Sequence, residues 1–481
     1  MASTFGGIGI CSGGMYSSQT KIYTSNVNIN NASTPGYSRQ VVKKNPDYIT
    51  SVQDGSLVVG VNPNAMSVER ERSTYLDYRY WQEQDTLGEY EYKSNYHNQM
   101  ESILYELDDN GITARLDSLE QSMEDLSTNP QDLSGRTAVL QETEALCDTL
   151  NNTSQQLYEL QDSVENDINY TVNRINQLSD EIANLNEEIL ELEMSGGNSS
   201  YLTDQRNLLI DELSKLTSVT VIENIVASSP DGGKIVSYTV KSGNSLLVSG
   251  NKSYSLETKE STSPEGYKNI SVVWSDNGSA YEADSGALKG ALDIMNGDGK
   301  SGDFKGIPYY MGELDDFANK IVEEINNIHM TGYGLDDSTN IPLFDPTCTD
   351  ASSIKLSDEI KGNPEKLAVS SEAGKAGNSN NLKEIINQFN NPGTFQEGSY
   401  NDCINKLVTE LGTQSSYSSG SLERASALSM DIDQNRMSVS GVSVDEEMTD
   451  IVFQQQIYEA NAKMIKVWND IIENTINQLG S

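Results

Sequence analysis

The sequence predicts a mainly α-helical chain with a small inserted β region, its two ends paired as a coiled coil. Three observations carry that expectation. Apolar side chains in the last 44 residues recur every three or four positions, and a second such repeat runs from Val164 to Leu192. Only residues 219–280 change to alternation broken by turns. A chain of 481 residues has room for two or three domains. The expected division is a terminal coiled-coil domain from 1–55 plus 438–481, a long-helix bundle from 56–218 plus 284–437, and a small β domain from 219–283.

At the N-terminus, Ile8, Met15, Ile22 and Ile29 recur every seven residues, with Cys11, Ser18 and Ser25 between them. Ser, Thr and Asn compete with the backbone for its own hydrogen bonds, so this stretch is a poor helix alone. Paired with the C-terminal segment it can fold, each buried isoleucine adding about 1.5–3 kcal/mol. In "NINNASTPGYSRQVV" (28–42), Pro35 disfavours helix at Thr34, and Pro35-Gly36 suits the central positions of a type II turn. The chain is expected to reverse there. "GSLVVGV" (55–61) reads as a short strand, and Met66 to about Leu216 as nearly all helix.

Within that run, Val164, Ile168, Thr171, Ile175, Leu178, Ile182, Leu185, Ile189 and Leu192 form an uninterrupted heptad pattern that "SGGN" (195–198) ends. A further helix is expected at 201–216. The segments "SVTVIEN", "KIVSYTV", "NSLLVSG" and "ISVVWSD" supply the strands. Helix returns with "GALKGALDIM" and at 312–330. An irregular stretch with short strands follows at 331–380, then helical runs near 380–390, 400–412 and 421–437. The last helix carries a seam of Val444, Met448, Ile451, Gln455, Tyr458, Ala462, Ile465, Asn469, Ile472, Ile476 and Leu479. Such a 3.5-residue repeat wants a helical partner. Ser443 with Glu446 makes a capping box at its start.

The net charge of −40 excludes partners that need a basic face, such as nucleic acid and anionic membrane. The charge is uneven: residues 1–46 hold Lys21, Arg39, Lys43 and Lys44 and no acid, whereas 438–481 hold seven acids against Lys463 and Lys466. The middle carries nearly all the negative charge and looks made to face water. No apolar stretch is long enough to cross a membrane, and "MASTFGGIGICSGGM" lacks the basic start and apolar core of a cleaved signal peptide. This suits a cytosolic protein or one exported without a cleaved signal. Cys11, Cys147, Cys348 and Cys403 form no CxxC, and buried free thiols are expected.

Catalytic chemistry finds little to work with. His97 and His329 are the only histidines, and each reads as a surface or helix-packing residue. "GDGKS" (297–301) resembles the end of a phosphate loop, but Ile294 stands where a glycine is required, and Lys300 where a third calcium ligand would follow Asn296 and Asp298. A solvated glycine-rich turn is expected. Asp108-Asp109 and Asp315-Asp316 read as solvated helix faces. No cofactor, metal or enzymatic constellation is expected.

"NINNASTPGYSRQVV" resembles the signature of bacterial flagellar axial proteins, and Tyr37-Ser38-Arg39-Gln40 is similar to the hook-associated members at the hook–filament junction. "LSTNPQDLSGRTAVLQE" (126–142), "LTDQRNLLIDELSKLTSVTV" (202–221), "GNSLLVSG" (243–250), "GALKGALDIM" (286–295) and "SGVSVDEEMTDIVFQQQIYEANAKMI" (440–465) resemble the same family. The resemblance implies a structural subunit exported unfolded through the flagellar type III apparatus and assembled outside the cell as a homo-oligomeric ring. Its implied partners are the hook protein, the second hook–filament junction protein and a flagellar export chaperone. The terminal coiled coil would line a central channel, the helical domain would surround it, and the β domain would sit outside. Asn28, Ile29, Asn31, Thr34, Pro35, Gly36 and Tyr37 would form the turn between inner helix and next domain. Ser38 belongs to the same motif, and Arg39 and Gln40 would lie near neighbouring subunits; the competing reading packs this loop within its own chain.

Three features depart from the family pattern: a short β part, a thiol at Cys11 on the seam, and N-terminal glycines that weaken the first helix. The alternatives are another axial protein, such as the second junction protein or a hook subunit, and, in a different class, a secreted hydrolase.

Overall fold

The computed structural model describes residues 4–44, 52–53, 56–57, 66–104, 111–228, 234–300, 304–396 and 398–479. The chain begins with α1 (Thr4–Asn31), then β1 (Gln40–Lys44), β2 (Val52–Gln53), β3 (Ser56–Leu57) and β4 (Met66–Arg70). Of the strand expected at 55–61, only Ser56–Leu57 falls among the described residues, paired with Val52–Gln53. Helix was expected from Met66, but Met66–Arg70 is a strand antiparallel to β1, with Gln40 opposite Arg70 and Lys44 opposite Met66. Its partner strand lies beyond the turn, outside the reach of any local pattern.

Four helices follow: α2 (Thr74–Ile103), α3 (Ile112–Thr128), α4 (Leu133–Met194) and α5 (Ser200–Leu216). The 62 residues of α4 make a rod about 90 Å long at 1.5 Å per residue. Its start is capped by Asp132, whose carboxylate accepts from the Ser134 and Gly135 amides. Its end turns at Gly196, with φ +81°. The heptad stripe is buried from Val164 to Ile189 except at half-buried Leu185, and α4 contacts α5, α6 (Ala287–Asn296), α7 (Ile307–His329) and the strands.

Residues 220–281 hold two antiparallel sheets. One has the order β5 (Thr220–Ser228), β6 (Lys234–Ser242), β7 (Ser245–Ser249), β8 (Lys252–Ser253); the other has β11 (Ala280–Tyr281), β10 (Lys268–Trp274), β9 (Leu256–Thr262). A ladder of α4 amides grips them. Asn186 bonds Tyr238 and Gly250, Asn176 bonds the Leu256 backbone both ways, Asn169 accepts from Thr258, and Gln161 donates to the Lys268 carbonyl. Arg206 of α5 stacks 3.5 Å over the Tyr238 ring and donates to Asn186. Burial lowers its guanidinium to about 10.

After α7 come α8 (Asn380–Phe389), α9 (Tyr400–Ser440) and α10 (Val444–Leu479). Two separate helices were expected within 400–437, yet α9 is one helix of 41 residues. It runs antiparallel to α2 on a serine seam: Ser415 reaches Asn98, Ser418 reaches His97, Ser419 reaches Ser94 and Ser429 reaches Gln84. Serines are poor helix formers, so tertiary packing holds the helix through 413–420.

Both histidines lie fully inside. His329 accepts from the Ala368 amide at 2.9 Å, and its Nδ1 bonds the Ile341 carbonyl at 2.7 Å, pinning the irregular 331–380 stretch to α7. Of the acidic pairs expected on solvated faces, Asp316 is exposed, while Asp315 accepts from the Tyr267 hydroxyl and the Ala351 amide. Asp108-Asp109 lie outside the described residues. All four cysteines are free and buried.

Candidate assembly site at the base of the terminal hairpin

The site is built from the turn that ends α1. Tyr37 donates its amide to the Thr34 carbonyl at 3.2 Å, and Gly36 between them has φ +73°, as the third position of a type II turn requires. Asn28, fully buried, holds the returning chain. Its Oδ1 accepts from the Tyr37 hydroxyl at 2.8 Å and the Gln40 amide at 2.9 Å, and its Nδ2 donates to the Gln40 carbonyl at 2.9 Å. Every polar atom of that side chain is used, so the asparagine substitutes for a missing strand partner. Burial raises the Tyr37 phenol to about 12, helped by the Asp204 and Glu447 charges. Asn31 donates to the Val27 carbonyl and accepts from Thr34.

Beyond the turn, buried charges bind the hairpin to the helical body. Asp204 of α5 accepts from the Ser38 amide at 3.0 Å, the Ser38 hydroxyl at 2.7 Å and Arg70 at 2.8 Å. Arg72 grips Asp77 of α2 with two bonds, at 2.7 and 3.0 Å. Arg436 of α9 bridges Asp77 at 3.0 Å and Asp211 at 2.9 Å, and Asp211 also accepts from the Trp81 indole. Burial raises the Asp211 carboxyl against the pull of Arg436 and Arg72.

A second layer lies nearer solvent. Arg39 pairs with Glu447 of α10 at 2.7 Å, Glu71 at 3.5 Å and Asp450 at 4.0 Å. Its bond to Glu447 raises the guanidinium pKa further. The Arg39 amide also donates to the Ser440 carbonyl, and its own carbonyl accepts from the Glu71 amide, both at 2.8 Å.

Helices α1 and α10 then run antiparallel. A Cβ placed on Gly7 would strike the Trp468 ring at 2.3 Å, and one on Gly14 would strike Asn461 at 2.7 Å. Continuing that register sets Lys21 opposite Gln454 and Asn28 opposite Glu447. The α1 face turned to α10 therefore includes Gly7, Cys11, Gly14, Ser18, Lys21, Ser25 and Asn28, with Ser17 and Thr24 buried beside it. Ser18 and Thr24 return their hydroxyls to carbonyls one turn back, which satisfies them inside the interface.

The sequence-predicted seam residues divide in two. Ile451, Ala462, Ile465 and Ile472 are half-buried, as are Ile8, Met15, Ile22 and Ile29. Val444, Met448, Tyr458 and Ile476 are exposed, Met448 and Ile476 at 58% and 63%. Leu479 ends α10, and its side chain lies outside the described residues. The α10 face that meets α1 carries Glu447, Gln454, Asn461 and Trp468, one residue before Met448, Gln455, Ala462 and Asn469. An apolar template misses it because the partner helix offers glycine and serine, against which large polar side chains fit. Ser38 is buried, Thr34, Pro35 and Gly36 are exposed, and Arg39 and Gln40 bond within their own chain. Sequence reasoning missed Asp204, Arg70, Arg72, Asp77, Asp211 and Arg436. Their one signal was the pairing of arginines and acids at positions where helices begin or end.

The flagellar hook-associated protein FlgK helical domain family matches residues 97–344, or 248 of the chain's 481 residues. The chain belongs to the FlgK family. A second family, the C-terminal part of the flagellar basal body rod FlgEFG proteins, matches 433–479, which spans the end of α9 and all of α10. The chain is 29% identical to flagellar hook-associated protein 1 of Bacillus subtilis, over 100% of this chain and 99% of that protein. It is 22% identical to the Escherichia coli protein of that name, over 96% and 98%. The flagellar hook junction protein FlgK from Burkholderia pseudomallei has the same fold, with TM-score 0.62 and 15% identity, over 76% of this chain and 100% of that one. Membership of the FlgK family makes this a structural protein of the bacterial flagellum, of the hook–filament junction class.

Proposed function

We propose that this FlgK-family chain polymerises through its terminal hairpin into a ring of copies that seats the filament on the hook. The observation that carries it is the surface of α10. Met448, Val452, Phe453, Met464, Val467, Ile471 and Ile476 are all exposed in the single chain, while the opposite face packs on α1. A helix with apolar residues on both sides needs a second partner, and a repeated subunit supplies it by rotation. Residues 1–55 with 438–481 then form the inner domain, 56–218 with 284–437 the surrounding helical domain, and 219–283 the outer β domain. The ring contacts the hook protein on one side and the second junction protein on the other.

Export through the flagellar type III route, without a cleaved signal, follows from the same design. The α1 sequence is a poor helix by itself and folds when α10 covers it. A flagellar chaperone would shield the α10 apolar faces before export. The role is structural rather than enzymatic, because the polar clusters serve as joints: Asp204 spends its bonds on Ser38 and Arg70, Arg72 on Asp77, and Arg436 on Asp77 and Asp211.

Electron microscopy of flagella from cells making the chain without residues 444–479 tests this. Bare hooks, with filament protein shed into the medium and a folded truncated chain in the lysate, are expected. Filaments still joined to hooks would overturn the reading.

A further inference from the structure

We infer that the base of the terminal hairpin is a hinge, with Arg39 as its pivot and brake, along which the hairpin rocks towards α9. Two covalent connections join hairpin to body. One is the turn with the β1–β4 ribbon, ending at Glu71; the other is the three-residue link Gly441–Ser443 between α9 and α10. Both are tied to a single residue. The Arg39 amide bonds Ser440 at the end of α9, and the Arg39 carbonyl bonds Glu71 ahead of α2. The link itself lies between two helix-end bonds, Gly441 amide to Met437 and Glu447 amide to Ser443. Rotation about Val442 therefore breaks no helical hydrogen bond.

Space for the motion is present. A cleft of about 340 Å³ separates the turn from the body. Ala32, Pro35 and Tyr37 line one side, and Tyr80, Asp433 and Met437 the other. Tilting the hairpin towards α9 closes it. The two ionic layers divide the work. Asp204, Asp77 and Asp211 are 5%, 5% and 17% exposed at their side chains, too enclosed for salt to reach, and keep the pivot in place. Arg39 faces Glu447 at 3%, but also Glu71 at 45% and Asp450 at 57%, so its cluster is open to solvent on one side. The guanidinium carries five N–H donors and can pass between these three carboxylates as the angle changes. Salt screens the Glu71 and Asp450 pairs and leaves Glu447 as the one enclosed partner of Arg39, which loosens the hinge, since the screening length falls from about 10 Å at 0.1 M to about 3 Å at 1 M.

Spin labels on the full chain test this, one on α1 at Tyr16→Cys and one on α9 at Met430→Cys, both exposed positions. The unsubstituted chain, with its four buried cysteines, controls for background labelling. At low salt a narrow distance distribution is expected, widening about two-fold at 1 M salt. Arg39→Gln gives the wide distribution already at low salt, without further response to salt, and Glu447→Gln does the same in part. Met437→Trp, which fills the cleft, narrows the distribution again. Circular dichroism and an unchanged melting temperature show that each variant is folded. A wild-type distribution indifferent to salt, or an Arg39→Gln distribution as narrow as wild type, overturns the hinge. Widening that Met437→Trp fails to reverse overturns its direction.

Discussion

Removing the Asp204 carboxylate should release the base of the hairpin while the helical body stays folded. Asp204 accepts two bonds from Ser38 and one from Arg70, with Arg72 at 3.8 Å. In Asp204→Ala, Arg72 keeps its two bonds to Asp77, so it is not stranded. Arg70 is 19% exposed and can rehydrate, so the loss sits at the low end of the ~3–5 kcal/mol typical of a broken buried pair. A local cost of about 3 kcal/mol corresponds to roughly 150-fold faster opening. Hydrogen exchange of the full chain, followed by mass spectrometry, reads this directly. Peptides covering 28–44 and 66–72 should exchange about two orders of magnitude faster, with α4 and α7 unchanged. Asp204→Asn, which keeps one acceptor for Ser38, should fall between. Protection of 28–44 within three-fold of wild type would refute the argument. So would a uniform loss across the molecule, which would make Asp204 a core residue rather than a clasp.

Two further outcomes follow from buried groups. Burial depresses both histidines from 6.5 to about 4, so the unfolded chain takes up protons between pH 6.5 and 4 that the folded chain refuses. Stability contributed by each neutral histidine is therefore lost as pH falls through that window, up to ~3 kcal/mol each. Melting temperature from pH 7 to 4.5 should fall less steeply in His329→Asn than in wild type; equal slopes would contradict it. In the hairpin, Gly14→Leu should abolish joining of hook to filament, because its Cβ already meets Asn461 at 2.7 Å, with the melting of the body unaltered. Asn461→Gly should partly restore joining in the double variant, and full function of Gly14→Leu alone would show that the helices do not approach so closely.

The fold was legible wherever burial is apolar and local. The α4 stripe reads directly from Val164 to Ile189 because all of it but half-buried Leu185 is buried at helical spacing. The strands of 220–281 read from alternation and from glycine turns such as Gly243 and Gly250. Legibility ended where polar groups do the packing. Serines and amides bury against each other along α2 and α9, and asparagines of α4 dock the sheets. The axial motif itself was recognisable, but Asn28 as its anchor depends on Gln40 and Tyr37 returning in space. Asp204 answers Ser38 from 166 positions away. Hydropathy carries no trace of such pairs, since an amide or carboxylate scores the same buried or solvated.

That distinction bears on how the hairpin is held. The seam mixes Gly7, Cys11, Gly14, Ser18 and Ser25 with half-buried Ile8, Met15, Ile22, Ile451 and Ile465, so α1 and α10 gain less from each other than two leucine-lined helices would. Glycines within α1 add a further cost of about 1 kcal/mol apiece relative to alanine. Stability of the hairpin in the single chain must then come mainly from its base, where Asn28, Ser38 and Arg39 make bonds that no part of the seam supplies. The larger apolar residues of α10 point outward instead, and under the proposed reading their burial belongs to the ring. A subunit arranged this way can be unfolded for export at small cost, since the seam resists little, and becomes rigid when neighbours cover Met448, Phe453 and Val467. Filling the seam with leucines would reverse that order, giving a hairpin stable alone and slow to unfold.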